Sequence, residues 1–245
     1  SIVSHAKTLG YVPTSARAAK AKVDVILNTN DVNATLPAGT VFNTTVNDIS
    51  YQFSTIADIT KSNTGNTIPF VGVDIYEGTF ITTRYTVDSS DIDQRFVLTD
   101  NRADTSTLIV KVQTSSTDSS SNTFTEATDI TQVTAGSNVY FLQEVEAGLF
   151  EVYFGDGIIG TALSDDNIVI LTYVVSNKTA ANGASLFTNA AAIASVTDIS
   201  VATSEPSTAG AEPESLSSIK YNAPLDFASQ GRCVTSEDYK VFAKK

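Results

Sequence analysis

From Val23 to about Val201 the chain is a succession of short segments in which apolar and polar residues alternate. That period of two is the signature of half-buried β-strands and leaves little room for helices. In KVDVILN, Val23, Val25 and Leu27 alternate with Asp24 and Ile26, and in ISYQFST, Tyr51 and Phe53 alternate with Gln52 and Ser54. FVGVDIYEG, FITTRYTV, QRFVLTD and STLIVKV follow, each about seven to nine residues long, with Asp, Asn, Ser and Gly between them. LPAGTVF places Pro37 and Gly39 in a turn before a short strand. NIVILTYVV is apolar on both faces (Ile168 and Ile170; Val169 and Leu171), as a covered central strand would be. The pattern fits sandwiches, barrels and meanders alike.

The flanks read differently. In SIVSHAKTLG, Ile2, Val3 and Ala6 mark one helical face and Gly10 stands where a C-cap glycine belongs. TSEPSTAGAEPES reads as a linker, and EPESLSSIKYNAP as a helix with Pro213 in its first turn, ending at Asn222 and Pro224. The expected fold is therefore mainly β with helical ends (α+β), an antiparallel β-rich body followed by a C-terminal helical segment. Residues 1–22 form the helical N-terminal segment, 23–205 a body of one or two modules, and 206–245 the linker and C-terminal helical segment. Residues 113–137, rich in Ser and Thr, read as an exposed loop or polar edge hairpin.

FEVYFGDGIIG contains Gly155-Asp156-Gly157-Ile158-Ile159-Gly160, which satisfies the dinucleotide pattern G-x-G-x-x-G. That motif needs a strand before the first glycine and a helix after it, with the helix N-terminus facing the pyrophosphate. The strand is legible in Phe150, Val152 and Phe154, but TALSDDNIVILTYVV after Gly160 reads as a turn and a second strand. Asp156-Gly157 is instead expected to cap a two-residue hairpin, both residues accepting the positive φ of a type I′ turn.

Composition narrows the chemistry. With 15 Lys and Arg against 27 Asp and Glu, the net charge is −12, which argues against a surface that tracks phosphates. No apolar run approaches the roughly 18 residues that span a bilayer. One histidine, His5, and one cysteine, Cys233, make neither an intrachain disulfide nor an ordinary structural zinc site, and Cys233 is read as inert. Asp88, Asp91 and Asp93 in DSSDIDQ lack the glycine and bidentate Glu of a calcium loop, so they read as a solvated acidic turn. No nucleophile elbow, zincin or Walker sequence occurs, so no catalytic residue, metal or cofactor is expected. The chain does not begin with Met and its terminal helical pattern stops after about two turns, as in a processed product or fragment.

In GRCVTSEDYKVFA, Thr235 and Asp238 are spaced as a capping box with Asp replacing Glu, flanked by Val234 and Tyr239 as a hydrophobic staple. These residues are candidates for the start of an interface helix, the alternative being an ordinary cap.

LPAGTVF, IYEGTFITTRYTVD, FEVYFGDGIIGTAL and SIKYNAP…GRCVTSEDYKVFA, in this order and spacing, resemble the baseplate J-like family of contractile phage tails and related injection machines. Within it the sequence is most similar to the C-terminal portion of the wedge ring subunits of T-even-type phages. The resemblance implies a structural virion protein without a catalytic site, assembled in the host cytoplasm into the tail baseplate. It implies a ring that joins wedges around the hub, with two copies in each wedge beside a different chain. Partners would be a second copy and other wedge proteins, with no nucleic acid and no membrane insertion. A receptor- or glycan-binding β-module is the alternative, and a peptidoglycan-cleaving tail enzyme, which needs a carboxylate pair in a pocket, is a third.

Overall fold

A computed structural model describes residues 10–91, 94–145, 148–189 and 191–229. Within them the chain is mainly β, in largely antiparallel sheets, with one α-helix near the C-terminal end. Residues 1–9 of the predicted N-terminal helix lie outside the described residues, and Gly10 has the positive φ of +75° that its expected role demands, but residues 11–19 are not helical and Lys20–Lys22 of the expected helical segment already belong to a strand.

In chain order the strands are β1 (Lys20–Asn28), β2 (Asn33–Leu36), β3 (Val41–Val46), β4 (Ile49–Ser54), β5 (Ile59–Ser62), β6 (Thr67–Glu77), β7 (Thr79–Thr86), β8 (Phe96–Val97), β9 (Ala103–Gln113), β10 (Ser121–Glu126), β11 (Val139–Glu144), β12 (Phe150–Phe154), β13 (Ile168–Val175) and β14 (Ile199–Thr208). Helix α1 spans Leu216–Ser229. Five strands form one sheet in the order β14-β1-β6-β4-β3, and seven form another in the order β7-β13-β9-β10-β11-β12-β8. β2 and β5 pair as a separate ribbon.

Each large sheet has its own core. Val23, Val25 and Leu27 of β1 are fully buried, as their alternation predicts, and join Phe42, Phe53, Phe70 and Ile75. Ala34 and Leu36 of the β2–β5 ribbon close over this core, so the first sheet is one layer of a sandwich. The second core holds Val110, Val169, Leu171 and Tyr173. Here the sheet curls until its two edge strands face each other. Tyr85 of β7 meets Phe96 of β8 edge-on at 5.7 Å, and its hydroxyl donates to the Val97 carbonyl at 2.6 Å. Phe96, Phe154 and Phe124 continue this edge-to-face chain across the interior. β13 is a central strand, as its two apolar faces predict, because β7 and β9 flank it.

The chain passes from the first sheet to the second at Gly78 and returns through Ser176 and Asn177 after β13. The second sheet is thus inserted between β6 and β14 of the first.

Four sequence expectations need correction. Residues 114–120 and 127–137 are largely exposed loop, as expected, but Ser121–Glu126 between them is β10, which lies between β9 and β11 and buries Phe124, so it is an interior strand and not an edge. β10 also runs parallel to β11, the exception to the antiparallel pairing. TSEPST is no linker, because β14 runs through Thr208; as an edge strand it tolerates Pro206, whose missing N–H costs no interior ladder bond. In α1, Ser215 is the N-cap, its hydroxyl accepting from the Ser218 N–H at 3.2 Å, which leaves Pro213 outside the helix. Pro224 is inside the helix and does not end it. Lys220, whose carbonyl loses its helical partner there, is exposed, and water can satisfy it.

Candidate functional site

Glu77, Asp104 and Ser176, all deeply buried polar side chains, lie where the two sheets join. Along β6, Val73 and Ile75 point into the first core, and the same phase turns Glu77 inward at full burial. Its carboxylate accepts from the Asn177 N–H at 2.8 Å and from the Asn177 amide at 2.7 Å. Burial raises the Glu77 pKa above the usual carboxylate range, opposed by the Asn177 bonds and the Arg102 charge. Gly78 follows with φ of +121°, and a Cβ there would lie 2.2 Å from the Val175 carbonyl oxygen. On β9, buried Asp104 accepts from the Ala18 N–H at 2.8 Å, and the Thr105 N–H donates to the Ser15 hydroxyl at 3.0 Å. The segments that flank β1 and β13 are therefore bonded across the joint to β9 and to the end of β6, through charged and backbone groups. A cleft of about 580 Å³ opens beside it, lined by Ser50, Gln52, Glu77, Thr79 and Asn177.

Sequence reasoning missed Glu77. The signal was present: continuing the inward phase of Val73 and Ile75 by two residues reaches it.

A second polar hub ties α1 to the body. The Glu214 carboxylate accepts from the Tyr11 hydroxyl at 2.9 Å, the Thr14 N–H at 3.3 Å, the Ser218 hydroxyl at 2.6 Å and the Asn222 amide at 2.9 Å. Burial works to raise the Glu214 pKa, but these bonds outweigh it and hold the group below its usual value. Burial, then the bond to Glu214, pushes the Tyr11 phenol well up. A smaller cleft of about 230 Å³ adjoins the hub, with Glu144, Lys178 and Glu214 on its walls. Burial and the charge of Glu214 raise the Glu144 pKa. Ile219 and Ala223 are the buried residues of α1, packed with Tyr11, whereas Leu216, Tyr221 and Phe227 are exposed.

The structure corrects the expectation for Asp156 and Gly157. They cap no hairpin: β12 pairs with β11 and β8, while β13 is separated from it by three strands and lies between β7 and β9. Gly157 has φ of +86°, but Asp156 does not share the positive φ of a type I′ turn. The Asp156 carboxylate instead accepts from the N–H groups of Ile158 and Ile159 at 2.9 and 3.0 Å, and the Gly157 N–H donates to the Gly160 carbonyl at 3.0 Å. This loop is bonded to the Thr134–Ser137 turn through Gly160 and Thr161, so the partner that fixes it is distant in sequence. No helix follows Gly160; the next regular element is β13.

Asp88 accepts from the N–H and hydroxyl of Ser90, which lowers its pKa, and Asp93 lies outside the described residues. Thr235, Asp238 and Tyr239 lie outside them as well, as do His5 and Cys233. Among the described residues, no group of three or more His, Cys, Asp or Glu is placed to hold a metal, and no helix is long and apolar enough to cross a membrane.

No family model matches the chain. It is 26% identical, over an alignment of 276 positions covering all of this chain, to baseplate wedge protein gp6 of Enterobacteria phage T4. The chain spans about 40% of that relative's length. A phage baseplate-related relationship follows from this similarity.

Proposed function

We propose that the chain is a structural, non-enzymatic part of a contractile phage tail baseplate wedge, within the ring that joins wedges around the hub. The observation that carries this reading is the similarity to a phage wedge protein along the whole chain. The joint at Glu77, Gly78, Asp104 and Asn177 supports it, because a ring subunit must transmit force between neighbours without bending. The resemblance to the baseplate J-like family extends the same reading to assembly in the host cytoplasm. Its partners are a second copy of the chain and other wedge proteins.

Docking through the C-terminal end accords with α1, where Leu216, Tyr221 and Phe227 are exposed, with relative exposures of 58%, 63% and 54%. Burying such surface is worth about 25 cal/mol per Å². From the sequence, the segment around Tyr239 continues this docking surface, with Val241 and Phe242 beyond it.

A receptor- or glycan-binding module would call on surface aromatics. The exposed Tyr153 stacks on Phe141 at 5.2 Å, so one face of its ring is already occupied, and the baseplate reading is preferred.

Cryo-electron microscopy and mass spectrometry of tail particles from the genome that encodes the chain test the proposal. Density for the two sheets in the wedge ring is expected. Absence from isolated baseplates, or placement on a fibre tip, overturns it. Reproducible hydrolysis of peptidoglycan, nucleotides or peptides that is lost with a single carboxylate substitution overturns the non-enzymatic part.

A further inference from the structure

The open edge of the five-stranded sheet has an unusual pattern. Of the strands at sheet edges, β3 is bonded to Thr188 through Asn43, while β7 and β8 turn toward each other through Tyr85 and Phe96. On β14, the far end is also covered: Ser207 exchanges bonds with Gly183 and Ala184. Before that point no described residue bonds to the outer side of β14 through its backbone.

The register says which groups are bare. The Asn28 N–H donates to the Asp198 carbonyl, and Ile26 and Asp24 lie opposite Ser200 and Ala202. In an antiparallel ladder bonded pairs alternate, so Ser200 and Ala202 turn their backbone groups toward β1. Ile199, Val201 and Thr203 therefore turn theirs outward, with no backbone partner among the described residues. Natural edges are usually blunted by Lys, Pro or a bulge. Here Ile199–Thr203 holds no charge, no proline and no bulge; the register shift against β1 falls between Thr203 and Glu205, with Pro206 beyond it and Asp198 at the other end.

We propose that a second copy of this chain pairs here, β14 antiparallel to β14 about a two-fold axis at Val201, joining two five-stranded sheets into one continuous sheet. In this register Val201 faces Val201 of the second copy and Ile199 faces Thr203. All three outward-facing residues thus fall in bonded pairs, two bonds to a pair, for about six bonds in all. The side chains agree with it. Within the paired segment 199–203 there is no charged residue, so no acid opposes an acid there in a chain of net charge −12. β-branched residues meet on the core side, where Ile199 and Val201 already pack on the first core. On the other side, Ser200 and Ala202 are small and exposed. Pro206, without an N–H, ends the ladder.

This interface rests on the self-association proposed above and gives it a location separate from the C-terminal helix. Sedimentation or light scattering of the protein from about 1 to 100 µM should give the mass of two copies. The doubly substituted Ser200→Lys, Ala202→Lys protein sets Lys against Lys across the axis at exposed positions. It should be monomeric with unchanged melting. Mixing a Ser200→Cys protein with an Ala202→Cys protein should link the two copies through those positions, because they form a non-bonded pair with Cα atoms about 4.5 Å apart. A dimer that survives the lysine substitutions and forms no such link overturns this interface but leaves self-association standing. A wild-type protein monomeric throughout overturns both. Neither result touches the placement of the chain in the baseplate, which particle composition decides.

Discussion

The carboxylate of Glu77, at the last position of β6, holds both the backbone N–H and the side-chain amide of Asn177, 100 residues later, at 2.8 and 2.7 Å. These residues flank the two crossings of the chain between its sheets, so one fully buried side chain ties the outgoing segment to the returning one. Asn177→Ala removes one bond to a buried charge and should cost about 1.5–3 kcal/mol, read as a shift in denaturant midpoint at constant slope.

The same pair sets a pH dependence. Because burial raises the Glu77 pKa in the folded state, the folded protein holds this proton more tightly than the unfolded chain. Stability from this group is therefore largest below the ordinary value of 4.5 and declines as pH rises through the raised folded value. Glu77→Gln should remove that decline. The difference in unfolding free energy between variant and wild type, measured from pH 4 to 8, should thus change with pH; a constant difference would show that Glu77 titrates normally.

Glycine is required at 78 for two reasons, positive φ and the 2.2 Å approach of a Cβ to the Val175 carbonyl. Gly78→Ala should cost about 3 kcal/mol or more, or prevent folding. A melting temperature within a degree of wild type would contradict the geometry of the joint.

In the GDGIIG loop the ranking of substitutions distinguishes the observed structure from a hairpin. A Cβ on Gly155 would lie 2.1 Å from the Ile159 carbonyl oxygen, whereas one on Gly157 meets nothing closer than Ala162 at 3.7 Å. Gly157→Val should therefore cost only the strain of positive φ, about 1–2 kcal/mol. Gly155→Ala should cost more. A type I′ hairpin at Asp156-Gly157 would reverse that order. Thermal melts of the two variants decide it.

Release of α1 should follow Glu214. Its pKa is lowered in the folded state, so its stabilising contribution is full above 4.5 and is lost as pH falls through the folded value. Protection factors of the Ile219 and Ala223 amides, which already correct for the pH dependence of exchange chemistry, should fall below pH 4.5 before those of β13. Tyr11→Phe keeps the ring on Ile219 and Ala223 but loses the bond to Glu214, and should weaken α1 by about 1 kcal/mol.

The order of residues was enough to place most of the strands and the faces they bury. Val23, Val25 and Leu27, or the two apolar faces of Ile168–Val175, fix burial through a period of two that needs no knowledge of neighbours. It also showed that Gly155–Gly160 opens no helix, because the residues after Gly160 are turn-formers and β-branched. Which strand lies beside which was not legible. Ladder bonds join backbone groups that every residue carries, so the polar segment around Phe124 could become an interior strand, and β12 could leave β13 for β11. For the same reason Asp156-Gly157, a good hairpin turn in isolation, became a loop held by Thr134 and Ser137. The inward phase of Glu77 was legible from Val73 and Ile75, but what lets a carboxylate stay there was decided only in three dimensions. An inward-facing carboxylate is excluded by its own hydration cost until a donor such as Asn177, far along the chain, is brought within 3 Å of it.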